Sequence, residues 1–521
     1  MGNAFGLTRR STLISALAGL SAAACSGRRE APPHLLRVAI GNMPDSLDPA
    51  IGQFAASALL YKQLFAPLTD YTDRLGVGPG LAESWIPEAD GRRWIFTLRE
   101  GLRWSDGHEL TADDVVWSVR HLLDPNTAGG QLGDFYAVEN AEAVLAGEMP
   151  PSDIGIRQIG PRQVEFRLDQ PSGLFPTLMR EFYPFPRHAV ERHGNDWVRA
   201  ENFVGSGPFT LADTGALSFD LIRNAHSHAP AAVAAVRIDI VDDASTRTRM
   251  FRAGEFDLAE APPPTQIPML REQIGSRVHS FPAPKFTYLK INLRRPHLQN
   301  LVVRRALSLA VDRVFLAEQI MAHTATPTAT VIPSGNAPAN RLDVAIQLLS
   351  DAGLTGSNAP RVILRTTSGE RERLAIAIAD DWQRAGIETE LFASAPVDLY
   401  SAVDGGDFDV ALSHFDRGLK TNPNFLMEPF SEGGFADDSG WYDSGAAEVT
   451  AVNAAVTSAR QAVDDDARTQ FYRQAETILL EQHIIIPLLH EQAHWLISDR
   501  VSGMTDGVQP QLWRHLSVNG G

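Results

Sequence analysis

The sequence predicts an α/β fold in which helices pack on β-sheets, and three observations lead to this prediction. The composition is that of a globular protein, with 44% hydrophobic and 21% charged residues among 521. Segments with the period-2 alternation of strands interleave with segments of helical spacing almost to the end of the chain. No internal repeat interrupts this order. The length is sufficient for roughly three domain-sized units.

The pattern assigns each element in chain order. Thr111, followed by acidic residues, is typical of the cap of the second helix. The predicted strands are 35–40, 94–98, 163–168, 217–224, 236–241, 286–293, 362–366, 387–392 and 484–489. The predicted helices are 55–64, 115–123, 244–253, 301–322, 371–385 and 465–482.

The N-terminus has the pattern of an export signal. Arg9 and Arg10 precede an apolar run over 13–20, and small residues lead to Cys25. We expect a signal peptide over 1–24, a tether over 25–34 and an extracytoplasmic mature protein. Cys25 is predicted to be lipidated and to anchor the protein to the membrane, with plain cleavage as the alternative. The paired arginines fit ordinary or twin-arginine export.

Charge and cysteine content exclude several classes of function. The formal net charge of −17 argues against a nucleic-acid partner, which requires a basic surface. An acidic surface could favour cationic solutes, or it could serve only to keep the protein soluble. One cysteine allows neither a disulfide framework nor a cysteine-based metal site.

A series of motifs resembles the family-5 solute-binding proteins of ABC importers, the oligopeptide- and dipeptide-binding type. The specific part is 81–85 (LAESW), 94–107 (WIFTLREGLRWSDG) and 110–115 (LTADDV). Further matches in the same order are 46–49 (SLDP), 204–209 (VGSGPF), 254–258 (GEFDL), 303–313 (VRRALSLAVDR), 408–411 (FDVA) and 467–472 (ARTQFY). Most of these are structural signals. We expect Arg304 and Arg305 on a solvated or salt-bridged helix face.

The resemblance implies a two-lobed periplasmic binding protein of the large Venus-flytrap type. It places lobe I at 35–54, 200–280 and 497–521, an inserted subdomain at 55–199, and lobe II at 281–496. The crossing segments of the hinge fall near 281–290 and 488–496. It also implies a monomer without cofactor or chemistry, which encloses a short peptide or peptide-like solute by hinge closure and delivers it to permease subunits with their ATPase. Its membrane contact is through the lipid anchor alone.

The resemblance also suggests ligand-binding positions, and one of them departs from the peptide binders. In those relatives a Trp-x-x-Asp loop neutralises the peptide's α-amine, whereas here Phe415 matches the aromatic residue and Gly418 stands at the Asp position. The hypothesis is a modified or unusual peptide, or another polar metabolite, contacted by Asp416 or Arg417; alternatively both are exposed loop charges. The remaining candidates are Gln53, Phe54, Ala55, Gln131 and His490.

The sequence His490-Glu491-Gln492-Ala493-His494 matches the zinc-hydrolase pattern His-Glu-x-x-His. That pattern needs a helix, whereas the apolar run before it predicts a strand, in which residues four apart lie about 13 Å from each other. We therefore expect a chance match, and His490 can instead line the solute cleft. A receptor or chaperone-like scaffold with the same fold is a third possibility.

Overall fold

The computed structural model describes residues 34–72, 76–88, 91–127, 135, 137–333, 341–416, 423–434, 439–505 and 510–519. The strands are β1 (Leu35–Ile40), β2 (Thr69–Tyr71), β3 (Val77–Pro79), β4 (Ala82–Pro87), β5 (Arg93–Leu98), β6 (Ile156–Gly160), β7 (Gln163–Arg167), β8 (Phe209–Gly215), β9 (Ser218–Arg223), β10 (Ala235–Ile240), β11 (Leu258–Glu260), β12 (Val278–Ile291), β13 (Ala325–Pro327), β14 (Arg361–Thr367), β15 (Glu388–Ser394), β16 (Val410–Asp416), β17 (Ile485–Ile497), β18 (Val501–Ser502) and β19 (Ser517–Val518).

The α-helices interleave with these strands. They are Ala55–Leu64, Ala112–Leu122, Ala141–Leu145, Phe175–Leu178, Arg187–His193, Ala244–Arg252, Ile267–Ile274, Leu301–Ala310, Arg313–Phe315, Leu342–Asp351, Glu370–Arg384, Pro396–Asp404, Pro423–Met427, Ala447–Gln461 and Asp465–Glu481. Each predicted strand overlaps an observed strand, and the α/β prediction is confirmed. In the described residues, no helix is both long and apolar enough to cross a membrane.

One large sheet runs through the molecule in the order β15-β14-β16-β12-β17-β11-β1-β10-β9-β8, with β13 on β17. Its centre is the antiparallel pair β12 and β17, which are 14 and 13 residues long. β12 pairs on its other side with β16, and the end of β17 pairs with β11. Two adjacent long strands therefore join a first half of the molecule (34–277 and 498–519) to a second half (292–484), and the predicted crossing segments lie inside them.

Each half has its own hydrophobic core. The core of the first half extends from β1 through the four-stranded sheet β4-β5-β7-β6 and includes the fully buried Trp104, Trp197 and Trp513. The second half packs its helices around β14, β16 and the buried N-terminal part of β17. Its Trp382 is fully buried. Separate cores let the halves move as units, which is the requirement for a hinge.

The predicted cap at Thr111 is confirmed, and the close approach at Gly207 explains a glycine of the 204–209 motif. Asp114 accepts hydrogen bonds from the backbone N–H and the hydroxyl of Thr111, which caps the helix Ala112–Leu122. At Gly207, an added Cβ would lie 2.5 Å from the backbone of Leu64, so only glycine permits the close approach of the two segments.

The predicted helix over 301–322 is wrong in its length. The helix Leu301–Ala310 ends at Val311, whose backbone is extended, and a new turn begins at Arg313. Asp312 starts this turn by accepting a hydrogen bond from the N–H of Phe315 at 2.9 Å. The Asp312 carboxylate accepts from a backbone N–H of the following turn, and this capping favours the start of a new turn over continuation of the helix from Leu301.

The expectation for Arg304 is also wrong. Its side chain is buried, and the guanidinium donates to the carbonyl oxygens of Leu298, Gln299 and Gln482 at 2.8–2.9 Å. Arg305, by contrast, is exposed as expected. Arg304 therefore serves as the donor for three backbone carbonyl groups, of which that of the buried Leu298 depends on it most.

Candidate ligand-binding cleft

A cavity of about 490 Å³ lies where the two halves face each other across the crossing strands. The first half contributes the start of the helix Ala55–Leu64, Glu260 and the Pro262–Pro264 run; the second half contributes Met321, Thr324 and Asp416. Lys285 of β12 and 491–495 of β17 form the floor between them. A cavity lined by both halves and by the segments that connect them changes shape whenever the halves move.

Lys285 and Asp416 form an ion pair at the edge of this cavity. They are register partners on β12 and β16, and Lys285 Nζ lies 3.2 Å from Asp416 Oδ2. The two side chains are 36% and 48% exposed. An exposed ion pair contributes little to the free energy of folding. A charged group of a ligand can therefore replace either partner at little energetic cost.

Glu491 lies more deeply, on the second crossing strand. Its Oε1 accepts a hydrogen bond from Thr287 Oγ1 at 2.5 Å and lies 3.2 Å from Arg371 Nη2. Burial opposes ionisation, but the Arg371 charge and the Thr287 hydroxyl outweigh it and lower the pKa of Glu491. The carboxylate is therefore charged and oriented at neutral pH.

Glu260 provides the third carboxylate of the cavity wall. Burial raises its pKa, with the charge of Arg247 opposing the shift. Arg247 holds the adjacent backbone by donating to the carbonyl oxygens of Glu260 and Ala261 at 2.7 and 3.1 Å. The wall thus presents three carboxylates, from Glu260, Asp416 and Glu491, and the ammonium of Lys285.

The segment His490–His494 is strand, as predicted. His490 Nε2 donates to the carbonyl oxygen of Thr330 at 3.1 Å, whereas His494 Nδ1 is 2.8 Å from Ser280 Oγ. Within the described ranges, these two imidazoles belong to no group of three metal-ligating atoms that lie within 4.8 Å of one another. The zinc-hydrolase geometry, which needs a helix, is not formed here.

Only some of the predicted site residues line the cavity. Ala55 and Asp416 line the cavity, and Phe54, with 59% of its surface exposed, precedes the helix that borders it. The backbone N–H groups of Gln53 and Phe54 donate to the carboxylate of Asp45 at 2.8 and 3.1 Å, which fixes this entrance.

Two other candidates support the cavity from behind. Phe415 is only 7% exposed and packs with Phe286, Tyr288 and Phe430. The ring of His490 lies 5.3 Å from Phe286. Neither is among the described residues of the cavity lining. Gln131, Arg417, Gly418 and Cys25 lie outside the described residues.

Sequence reasoning missed Lys285, Glu260 and Arg371. Lys285 reaches the cleft because its strand pairs with β16, and Arg371 because its helix lies over Thr287. The one local signal was the proline run after Glu260, which ends the strand β11 because proline has no backbone N–H to donate.

Comparisons with known proteins agree on one family. The bacterial extracellular solute-binding proteins, family 5 (middle region), match residues 76–437. The probable deoxycholate-binding periplasmic protein YgiS of Escherichia coli is 29% identical over 495 residues, covering 91% of each chain. The periplasmic oligopeptide-binding protein OppA of Haemophilus influenzae is 25% identical, covering 90% of each.

Solved structures show the same two-lobed fold. The unliganded open form of the murein tripeptide-binding protein MppA superposes with a TM-score of 0.83 at 24% identity, over 94% of this chain and 98% of that chain. A second structure of MppA, from Escherichia coli, superposes with a TM-score of 0.72 at the same identity, over 94% and 99%.

Proposed function

Because the chain belongs to the bacterial extracellular solute-binding proteins of family 5, we propose that it is the substrate-binding component of an ABC importer for short peptides or peptide-like solutes. The observation that carries the proposal is the cavity between the two halves, crossed by the two strands that connect them. Its volume of about 490 Å³ falls within the roughly 300–1,000 Å³ of small-molecule sites. Closure around the solute gives the permease a distinct shape to recognise.

The cleft favours a ligand that carries a cationic group. The cavity lining carries three carboxyl groups and one ammonium group, although Arg371, outside the lining, pairs with Glu491, and burial raises the pKa of Glu260. A carboxylate in this setting gains most from a charged hydrogen-bond donor. Asp416 is the proposed contact, since it is the most accessible of the three and its partner Lys285 can turn away. Such a group is a peptide's α-amine, a basic side chain or the amine of a modified peptide.

A non-peptide solute is the second candidate, and one observation favours it: the relative with 29% identity is described as a probable deoxycholate-binding protein. A bile acid is an amphipathic anion. Its carboxylate must compete with Asp416 and Glu491 for Lys285 and Arg371, which makes a bile acid the less favoured ligand here.

The proposal includes the route to the site of action and the arrangement of the chain. The protein is extracytoplasmic, with Cys25 as the proposed lipid-anchored N-terminus after removal of 1–24, and with export by either the ordinary or the twin-arginine route. The proposed lobes are 35–54, 200–280 and 497–521 (lobe I, with 55–199 inserted) and 281–496 (lobe II). It acts as a monomer with its permease and ATPase.

Measuring the intact mass of the mature protein tests whether Cys25 is lipidated, because two acyl chains add a large defined mass.

Native mass spectrometry of the mature protein, purified from its own cell envelope, tests the function. We expect a co-purifying small organic mass that is lost on denaturation and has the fragmentation pattern of a peptide. A protein that carries deoxycholate-like mass, and that binds no peptide in a calorimetric screen, would overturn the peptide assignment.

The ligand contact is tested with matched variants. Asp416→Asn should weaken binding of a lysine-containing tripeptide at least about tenfold, since it removes a charge-assisted bond. Asp443→Asn, which removes another ion-paired aspartate that lies 3.1 Å from Arg294 outside the cavity lining, should leave the affinity unchanged. Equal affinities for both variants would contradict the role of Asp416.

A further inference from the structure

Two histidines and one aspartate converge on the surface of the first half, away from the cleft. Asp106 Oδ2 lies 2.8 Å from both His108 Nδ1 and His188 Nε2. The three ligand atoms all lie within 4.8 Å of one another. The two imidazole rings stack with centroids 4.3 Å apart. None of the three residues lines the cavity between the halves.

The local fold holds this cluster in place from both sides. Asp106 and His108 flank Gly107, whose φ of +91° permits the tight turn. The second carboxylate oxygen of Asp106, Oδ1, accepts a hydrogen bond from the His108 N–H at 3.1 Å, which leaves Oδ2 directed at the imidazoles.

His188 approaches from a separate element. It is the second residue of the helix Arg187–His193, and its ring packs edge-on against the fully buried Trp104 at 6.4 Å. Two independent elements, a glycine turn and a helix start, therefore bring their ligand atoms together, and a buried tryptophan supports the contact.

This donor set fits a borderline divalent metal ion. Zinc binds imidazole nitrogen and carboxylate oxygen at about 2.0–2.2 Å, and two such ligands on one ion are about 3 Å apart. The Asp106–histidine distances of 2.8 Å are close to that separation. The side chains of Asp106, His108 and His188 are 30%, 64% and 33% exposed, so water can complete the coordination.

We propose that Asp106, His108 and His188 form a surface site for a divalent zinc-class ion, independent of the solute cleft. In the metal-free protein the carboxylate is shared as a hydrogen-bond acceptor by the two imidazoles. On each ring, the nitrogen that faces Asp106 loses its proton to solvent water and gives its lone pair to the ion, and a ring that was neutral takes up a proton from water on its other nitrogen. It joins the turn at Gly107 to the helix Arg187–His193.

Calorimetric titration of the chelator-treated mature protein with Zn²⁺ tests the site. We expect one ion per chain, and an affinity at least about tenfold weaker in His108→Ala and in His188→Ala, because each loses a direct ligand. Asp106→Asn removes the ligand charge but keeps an oxygen for the turn, and it should weaken binding similarly. Replacement by Co²⁺ should give a visible spectrum that both histidine variants lose.

Two control variants separate this site from other histidines. His297→Ala removes an exposed histidine that is also close to an aspartate, with Nε2 3.3 Å from Asp409. His494→Ala removes a histidine of the cleft. Both should bind Zn²⁺ as the unaltered protein does. No saturable binding, or binding that His108→Ala and His188→Ala leave unchanged, would overturn the proposal.

Discussion

Buried neutral imidazoles on the second crossing strand tie stability to pH. His490 donates from Nε2 to the Thr330 carbonyl oxygen, and burial lowers its pKa to about 4 although that bond opposes the shift. Burial likewise lowers the pKa of His494, which is 8% exposed, to about 4. In the unfolded chain each histidine titrates near ~6.5. Between these two values the unfolded chain binds more protons than the folded protein, so stability falls as pH falls from about 6.5 towards 4.

We predict that His490→Asn makes this dependence shallower. Asparagine can still donate to the Thr330 carbonyl oxygen but binds no proton in this range, so one source of acid destabilisation is removed. The measurement is the midpoint of thermal unfolding (Tm) at intervals between pH 7 and 4.5. His226→Asn, at an exposed histidine, serves as control and should leave the slope unchanged. A slope as steep in His490→Asn as in the unaltered protein would contradict the prediction.

At the scale of elements, Arg304 joins the beginning of one helix to the end of another. Its guanidinium contacts the carbonyl oxygens of Leu298 and Gln299, just before the helix Leu301–Ala310, and that of Gln482, which follows the helix Asp465–Glu481. Burial lowers the pKa of Arg304 to about 10, so it stays charged at neutral pH. The adjacent Arg305 is exposed.

We predict that Arg304→Ala destabilises the second half by about 2–4 kcal/mol, because it removes a buried side chain and leaves the carbonyl group of the buried Leu298 without this donor. Arg305→Ala should change the stability by no more than about 0.5 kcal/mol. Urea unfolding followed by tryptophan fluorescence compares the two variants. Equal stabilities would show that water replaces the guanidinium and that the burial of Arg304 has no energetic role.

The same elements show what the sequence could and could not predict. Period-2 alternation located β5, β9, β10 and β14 because each buries one face against neighbouring helices or strands. Alternation itself stopped at Leu489, and the extended conformation of 490–494 was predicted only from the apolar run before it; pairing with β12 holds this polar run extended. Asp416 was a candidate from the sequence, whereas its partner Lys285 was missed, since the two residues meet only through strand register. Local pattern predicts elements, whereas a site assembled across strands depends on contacts between distant segments.

At the scale of the whole molecule, the halves meet at a second place besides the crossing strands. Arg468 of the second half, 2% exposed, donates from Nη2 to the carbonyl oxygen of Gly173 in the first half at 3.1 Å. The N–H of Gly173 donates to the carbonyl oxygen of Arg460 at 3.2 Å. A Cβ at Gly173 would lie 1.9 Å from the carbonyl oxygen of Ala462. The two halves are therefore in direct backbone contact here, and glycine is required for it.

This contact should couple the unfolding of the two halves. Arg468→Ala removes the donor to Gly173 and also those to Ala462 and Val463, so the loop between the last two long helices loses its anchor to the first half. We expect scanning calorimetry to show a lower Tm and a transition that broadens or divides, because the halves then unfold more independently. Arg473→Ala is the control. Arg473 is a more exposed arginine of the same helix and contacts Pro333 within the second half, so this variant should preserve one transition.

Gly173→Ala should reproduce the effect of Arg468→Ala, since it forces the same surfaces apart without altering any charge. If both variants keep a single transition with the original Tm, the crossing strands alone account for the coupling, and the contact at Gly173 is incidental to it.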